Sequence, residues 1–239
     1  MLIEGKNAIS ELLQSGSTTE KIMIFKGTTN NDLVSKIKKS GLVYQFVDKP
    51  TLDRVSKTGN HQGFVAFITE YKYYDLDEII DAAYKKGSQP VLLALDGIED
   101  PHNLGNIIRT AECMGVDGIL IPKNRATSVN ETVIRVSAGA SAHVRICKVT
   151  NINQEIEYLK DKGFWIFAAD MGGTNVAQSN LLGPIAIVIG GENTGVRHLT
   201  KTLVDKVVSI PMKGKVNSLN VANATAMILY EVNRQRDIK

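Results

Sequence analysis

The chain reads as an α/β protein in two parts, a small mixed unit followed by a larger domain built on a mostly parallel sheet. Three observations predict this. Short apolar runs recur through the second part: "VLLALD", "GILIP", "VRICKV", "FWIFAAD", "IAIVIGG" and "VVSIPM". These runs are nearly continuous rather than alternating, as expected of strands covered by helices on both faces. The composition also shifts at "YDLDEIIDAAYKKGSQP", where a charged helical stretch ends in a Gly-Ser-Gln-Pro break before the first of those strands. The expected division is therefore a small α/β unit over 1–73, a linker over 74–90 and the larger domain over 91–239.

Each element has its own signal. "NAISELLQSG" places Ala8, Leu12 and Leu13 on one helical face and stops at Gly16. "KIMIF" reads as a strand, "NDLVSKIKKSG" as an amphipathic helix stopped by Gly41, and "VYQFV" and "GFVAFIT" as strands. A helix is expected around Leu76 to Tyr84. Leu104, Ile107, Ile108, Ala111 and Met114 form the stripe of another. Val221, Ala224, Thr225, Ile228, Leu229 and Val232 form that of a last helix starting near Asn220, with Ser218 or Asn220 as its cap.

Composition excludes several functions. The chain has 239 residues and a net charge of +3, too small a bias to announce nucleic-acid binding, so any RNA contact must come from local patches. No apolar run is long enough for a bilayer, and "MLIEGKNAISELL" lacks the pattern of a secretory signal, so a cytoplasmic protein without membrane contact is expected. Cys113 and Cys147 match no ligand spacing and are expected to be buried reduced thiols. No metal is expected. His61, His102, His143 and His198 share no catalytic spacing and read as structural or surface residues. Lys36, Lys38 and Lys39 read more readily as a solvated helix face than as an RNA patch.

Chemistry concentrates where three strands end, the edge at which open α/β sheets collect ligands. After "VLLALD", the turn at Asp100 to Asn103 opens a helix that carries Asn106 and Arg109 away from its apolar stripe. A solvated arginine is the plain alternative there. "IVIGGENTGVRHL" offers Gly190, Gly191 and Gly195 for close backbone approach, with Glu192 among them, but lacks the dinucleotide and P-loop fingerprints. After "VVSIPM", the turn packs Lys213, Lys215, Asn217, Ser218 and Asn220 together, more polar groups than a turn and one cap require.

In this order, "NLGNIIRTA", "GGENTGV" and "IPMKGKVNSLNVANATAMILYE" resemble the three signature motifs of the SpoU (TrmH-like) family of RNA ribose 2'-O-methyltransferases. The resemblance extends to "EGKNAISELL" and "GNHQGFVA", which look like the small substrate-binding domain ahead of the catalytic domain. It implies a SPOUT-type C-terminal domain with a deep trefoil knot, where strand patterns alone favour an unknotted doubly wound sheet. It also implies S-adenosylmethionine as cofactor, a homodimer, and structured RNA as partner, with a guanosine of 23S rRNA as target and transfer RNA as the nearest alternative. By the family pattern Gly190, Gly191, Ile210, Met212, Ser218 and Leu219 bind the cofactor, and Arg109, Asn103, Glu192, Ser218 and Asn220 surround the transfer site. Arg135 is left as a possible substrate contact. Competing readings are a non-catalytic RNA-binding member of the fold and a nicotinamide oxidoreductase, which lacks its glycine fingerprint.

Overall fold

Capping side chains set the starts of several helices in the computed structural model, which describes residues 2–15, 19–68, 71–87, 89–192, 194–215 and 218–237. Gly16 and Asn217 lie outside the described residues. The chain begins with β1 (Leu2–Glu4), α1 (Lys6–Ser15), β2 (Thr19–Phe25), α2 (Asn31–Lys39), β3 (Tyr44–Val47), α3 (Lys49–Val55) and β4 (Phe64–Ile68). Then come α4 (Leu76–Lys85), β5 (Val91–Asp96), α5 (Pro101–Cys113), β6 (Gly118–Pro122), α6 (Glu131–Val136) and β7 (Arg145–Val149). It closes with α7 (Ile152–Asp161), β8 (Trp165–Asn175), β9 (Ile185–Gly190), α8 (His198–Leu203), β10 (Lys206–Ser209) and α9 (Val221–Asp237).

Two units result, one of residues 1–72 with 129–143, the other of residues 73–128 with 144–239. The first holds a four-stranded sheet in the order β1-β4-β2-β3, in which only β2 and β3 run parallel. Two of its elements are too short for a pattern to show: β1 has three residues, and α3 begins at Lys49, with Pro50 in its first turn and its cap Asp48 accepting from Thr51 N at 3.1 Å. Residues 129–143 join this unit through specific polar contacts. Glu131 accepts from Leu2 N (2.9 Å) and pairs with Lys57 (2.9 Å), while His143 meets Glu11 at 2.7 Å. Helix α4 groups with the second unit, where Leu76, Ile79 and Ile80 pack into the core.

The second unit carries a six-stranded sheet in the order β10-β8-β9-β5-β6-β7, with every pairing parallel. Leu92 and Ala94 pack with α4 and α7 on one face, and Leu93 and Leu95, pointing the other way, are equally buried. Burial on both faces accounts for the unbroken apolar runs. Helix α9 lies against α5. No helix among the described residues is long and apolar enough to cross a membrane. Cys147 is buried, but Cys113 is exposed, correcting the expectation of two buried thiols. It follows Glu112, also exposed, on the outer side of α5, away from the buried Ile107, Ile108 and Ala111.

Candidate active site

Strands β5 and β9 pair with Asp96 opposite Gly190, so the loops that follow them open at the same sheet edge. Asp100 caps α5 by accepting from His102 N at 3.0 Å, and Pro101 starts the helix where its missing N–H costs nothing. This cap sets Asn103 in the first turn, buried, with both ends of its amide engaged. Asn103 Nδ2 donates to Glu192 Oε1, and Asn103 Oδ1 accepts from Asn220 Nδ2 at 2.9 Å. Asn220 is the cap of α9: its Oδ1 accepts from Ala222 N (2.9 Å) and Asn223 N (3.3 Å). One buried amide thus ties together three loops separated widely in sequence.

Close backbone packing explains the glycines here. A Cβ on Gly190 would lie 2.0 Å from the carbonyl carbon of Gly195, and one on Gly191 would lie 2.4 Å from Gly97 O. No side chain larger than hydrogen fits at either position.

Two carboxylates hold the same loop and were missed in the sequence. Asp96, almost fully buried, accepts from Arg197 Nε (2.7 Å), Arg197 N (3.3 Å) and Thr200 Oγ1 (3.1 Å). The hydrogen bond to Asp96 raises the Arg197 pKa above its ordinary value. Asp170 accepts from Val196 N at 3.1 Å and pairs with Lys201 Nζ at 2.7 Å. The available signal was an aspartate closing each apolar run, in "VLLALD" and "FWIFAAD", because a buried carboxylate needs partners.

Between these loops lies a cavity of about 410 Å³. Ile189, Ile210, Leu219 and Val221 give it apolar walls, and Asp170, Glu192, Ser209 and Ser218 bring polar groups to it. All six residues expected to bind a cofactor, Gly190, Gly191, Ile210, Met212, Ser218 and Leu219, line it, and so does Glu192. Asn103 joins through its hydrogen bond to Glu192, and Asn220 through its hydrogen bond to Asn103. Arg109 does not line the cavity. It is exposed on α5, beyond Asn103.

The remaining candidates lie elsewhere. Arg135 is exposed in the last turn of α6, in the first unit. His61 is buried between Asp53 (2.9 Å) and Gly63 N (3.0 Å), and His102 and His198 are exposed. Among the described residues no group of three or more His, Cys, Asp or Glu is arranged to hold a metal ion.

The profile of the SpoU rRNA Methylase family matches residues 90–230, and that of RNA 2'-O ribose methyltransferase substrate binding matches residues 2–74. A relative from Staphylococcus haemolyticus, classed by name with TrmH family tRNA/rRNA methyltransferases, is 40% identical over 99% of this chain and 96% of its own length. A solved RNA 2'-O ribose methyltransferase is 26% identical with a TM-score of 0.79, covering 100% of this chain and 89% of that one. The SpoU methyltransferase AviRb of Streptomyces viridochromogenes, solved in complex with the cofactor AdoMet, gives a TM-score of 0.86 over 100% of this chain and 91% of that one. At 24% identity, that last likeness speaks to the fold alone.

Proposed function

The chain belongs to the SpoU rRNA methylase family, and from that premise we propose that it transfers a methyl group from S-adenosylmethionine to a ribose 2'-hydroxyl of structured RNA, with a guanosine of 23S rRNA as target. The observation that carries this reading is the cavity at the β5 and β9 strand ends, bordered by the Glu192–Asn103–Asn220 chain of hydrogen bonds.

The residues present fit the cofactor. A cavity of about 410 Å³ is in the range of small-molecule sites, and glycines at 190 and 191 leave the backbone open to a ligand. Backbone groups near Gly190, Gly191, Ile210 and Leu219 would match the polar edge of adenine, with Ile210 and Leu219 covering its faces and Met212 and Ser218 completing the hold. When bound, S-adenosylmethionine supplies the electrophilic methyl group.

The chain's own residues align the acceptor and stabilise its charge. Arg109 stays protonated, because a guanidinium does not give up its proton in proteins. Its role in this reading is electrostatic: it stabilises the developing alkoxide and grips a neighbouring phosphate with its planar fork. Asn103 and Asn220 fix the loop around Glu192, and Ser218 orients the ribose. Arg109 faces outward on α5, and the exposed Met227 (49%) and Tyr230 (63%) on α9 support a homodimer that would enclose such a residue. A knotted chain in the second unit belongs to the same reading, as membership of the SpoU family implies. A cytoplasmic location accords with an RNA substrate.

Transfer RNA as substrate is a second reading, since the name of the Staphylococcus haemolyticus relative gives tRNA and rRNA alike. The two separate on one assay: transfer of labelled methyl to purified unmodified ribosomal and transfer RNA. Incorporation into ribosomal RNA alone supports the first, and incorporation into transfer RNA alone replaces it.

A further inference from the structure

Strand β3 forms one edge of the sheet in the first unit, where exposed apolar side chains are a liability unless something covers them. It nevertheless exposes Tyr44 (39%) and Phe46 (36%), with Val43 (63%) just before it. Tyr44 and Phe46 share a face of the strand. Their rings meet edge to face, centroids 6.0 Å apart, and Lys38 Nζ stands 5.7 Å from the Phe46 centroid. Their neighbours on β2, Ile22 and Ile24, are fully buried, so the aromatic pair carries the core outward into solvent rather than filling it.

Helix α2 supplies charge beside the rings. Lys36, Lys38 and Lys39 are exposed in its last turn, and no acidic residue occurs between Asp32 and Asp48. Lysines suit a helix C-terminus on dipole grounds alone, which leaves the exposed rings unexplained. A ring pair beside an ammonium group, with two more lysines on the same helix turn, matches unpaired nucleotides, whose bases stack on aromatic faces while their phosphates take the cations. We propose that Tyr44, Phe46 and the α2 lysines form a stacking platform for the unpaired bases of a looped RNA, apart from the cavity at the strand ends. The inference rests on the RNA methyltransferase reading and names where the substrate is first held.

The test is anisotropy of the full-length protein with two labelled RNAs, a hairpin with an open loop and a blunt duplex of equal length. Tyr44→Ala with Phe46→Ala is expected to weaken hairpin binding about 10- to 100-fold and to change duplex binding by less than about twofold. Tyr44→Phe with Phe46→Tyr, which keeps both rings, restores the hairpin affinity. Lys38→Gln lowers the salt slope for the hairpin by about 0.7. S-adenosylmethionine binding stays unchanged in these variants, so a failure of the family reading shows there and not in the hairpin measurement. Photocrosslinking of the unsubstituted protein to the hairpin reads the surface without any substitution. Adducts on Tyr44 or Phe46 support the platform. Adducts confined to other residues, an unchanged hairpin affinity, or a change of oligomeric state in its place would overturn it, the last assigning the patch to a second copy of the chain.

Discussion

Asn103 can serve as a junction because an amide offers a donor and an acceptor at once, here spent on Glu192 and Asn220. Asn103→Ala removes both hydrogen bonds, and because water can reach the exposed Glu192 and Asn220, a stability loss of about 0.5–1.5 kcal/mol is expected in denaturant titration. Arg109 is the residue on which turnover is expected to depend. Arg109→Lys keeps the charge but loses the planar fork, so cofactor binding by calorimetry should persist while turnover falls to a small fraction of the parent rate. Undiminished turnover would remove the fork from the mechanism. The thiols separate by environment: burial, with Glu155 and Asp75 nearby, pushes Cys147 up to about 11, whereas Cys113 is exposed. Iodoacetamide at about pH 8 should label the native protein at Cys113 alone, and both cysteines only in denaturant. The position of Cys113 was not legible, because a residue at the C-terminal end of a helix can lie either side of the stripe boundary.

At the scale of elements, the strand-end loops do the positioning. Gly190→Ala would drive a methyl group into the Gly195 backbone, and loss of cofactor binding with a stability cost of about 1–3 kcal/mol is expected. Helix α9 carries a pH-sensitive contact. Hydrogen bonds from Arg234 and Gln235 hold Glu231 at about 2, well below its ordinary 4.5. A depressed carboxyl contributes stability that is complete above the ordinary value and is lost as the pH falls toward the folded one. Glu231→Gln should therefore cost roughly 1 kcal/mol at neutral pH and lessen the acid sensitivity of denaturant midpoints measured from neutral pH downward. Strands β5, β6 and β9 were legible because burial on both faces leaves an unbroken apolar run. Strand β1 and helix α3 were not, since neither is long enough for a period to show. In β8 the pairing with β10 skips from Phe167 and Ala168 to Thr174 and Asn175, an excursion with no hydrophobic signature that brings Asp170 and Met171 to the cavity.

For the molecule as a whole, the α/β class with its mostly parallel sheet and the methyltransferase family were both legible in the sequence. Motifs concentrated in "GGENTGV" and "VNSLNVANA" named residues that line one cavity or bond to its rim. The ion pairs that hold those loops were invisible because Asp96 and Arg197 are 101 positions apart, and only folding makes them neighbours. The return of residues 129–143 to the first unit was hidden for the same reason, resting on contacts such as Glu131 with Leu2 and Lys57. With a net charge of only +3, RNA affinity must depend on local clusters.

The most direct test of the whole account is the fate of the methyl group. Unmodified ribosomal RNA is incubated with labelled S-adenosylmethionine and the full-length protein, then hydrolysed in alkali, which cannot cut beside a methylated 2'-oxygen. The account predicts label in alkali-resistant dinucleotides containing guanosine, absent with Arg109→Ala. Label released on a modified base, or no transfer to any RNA from a protein that binds the cofactor, would contradict it.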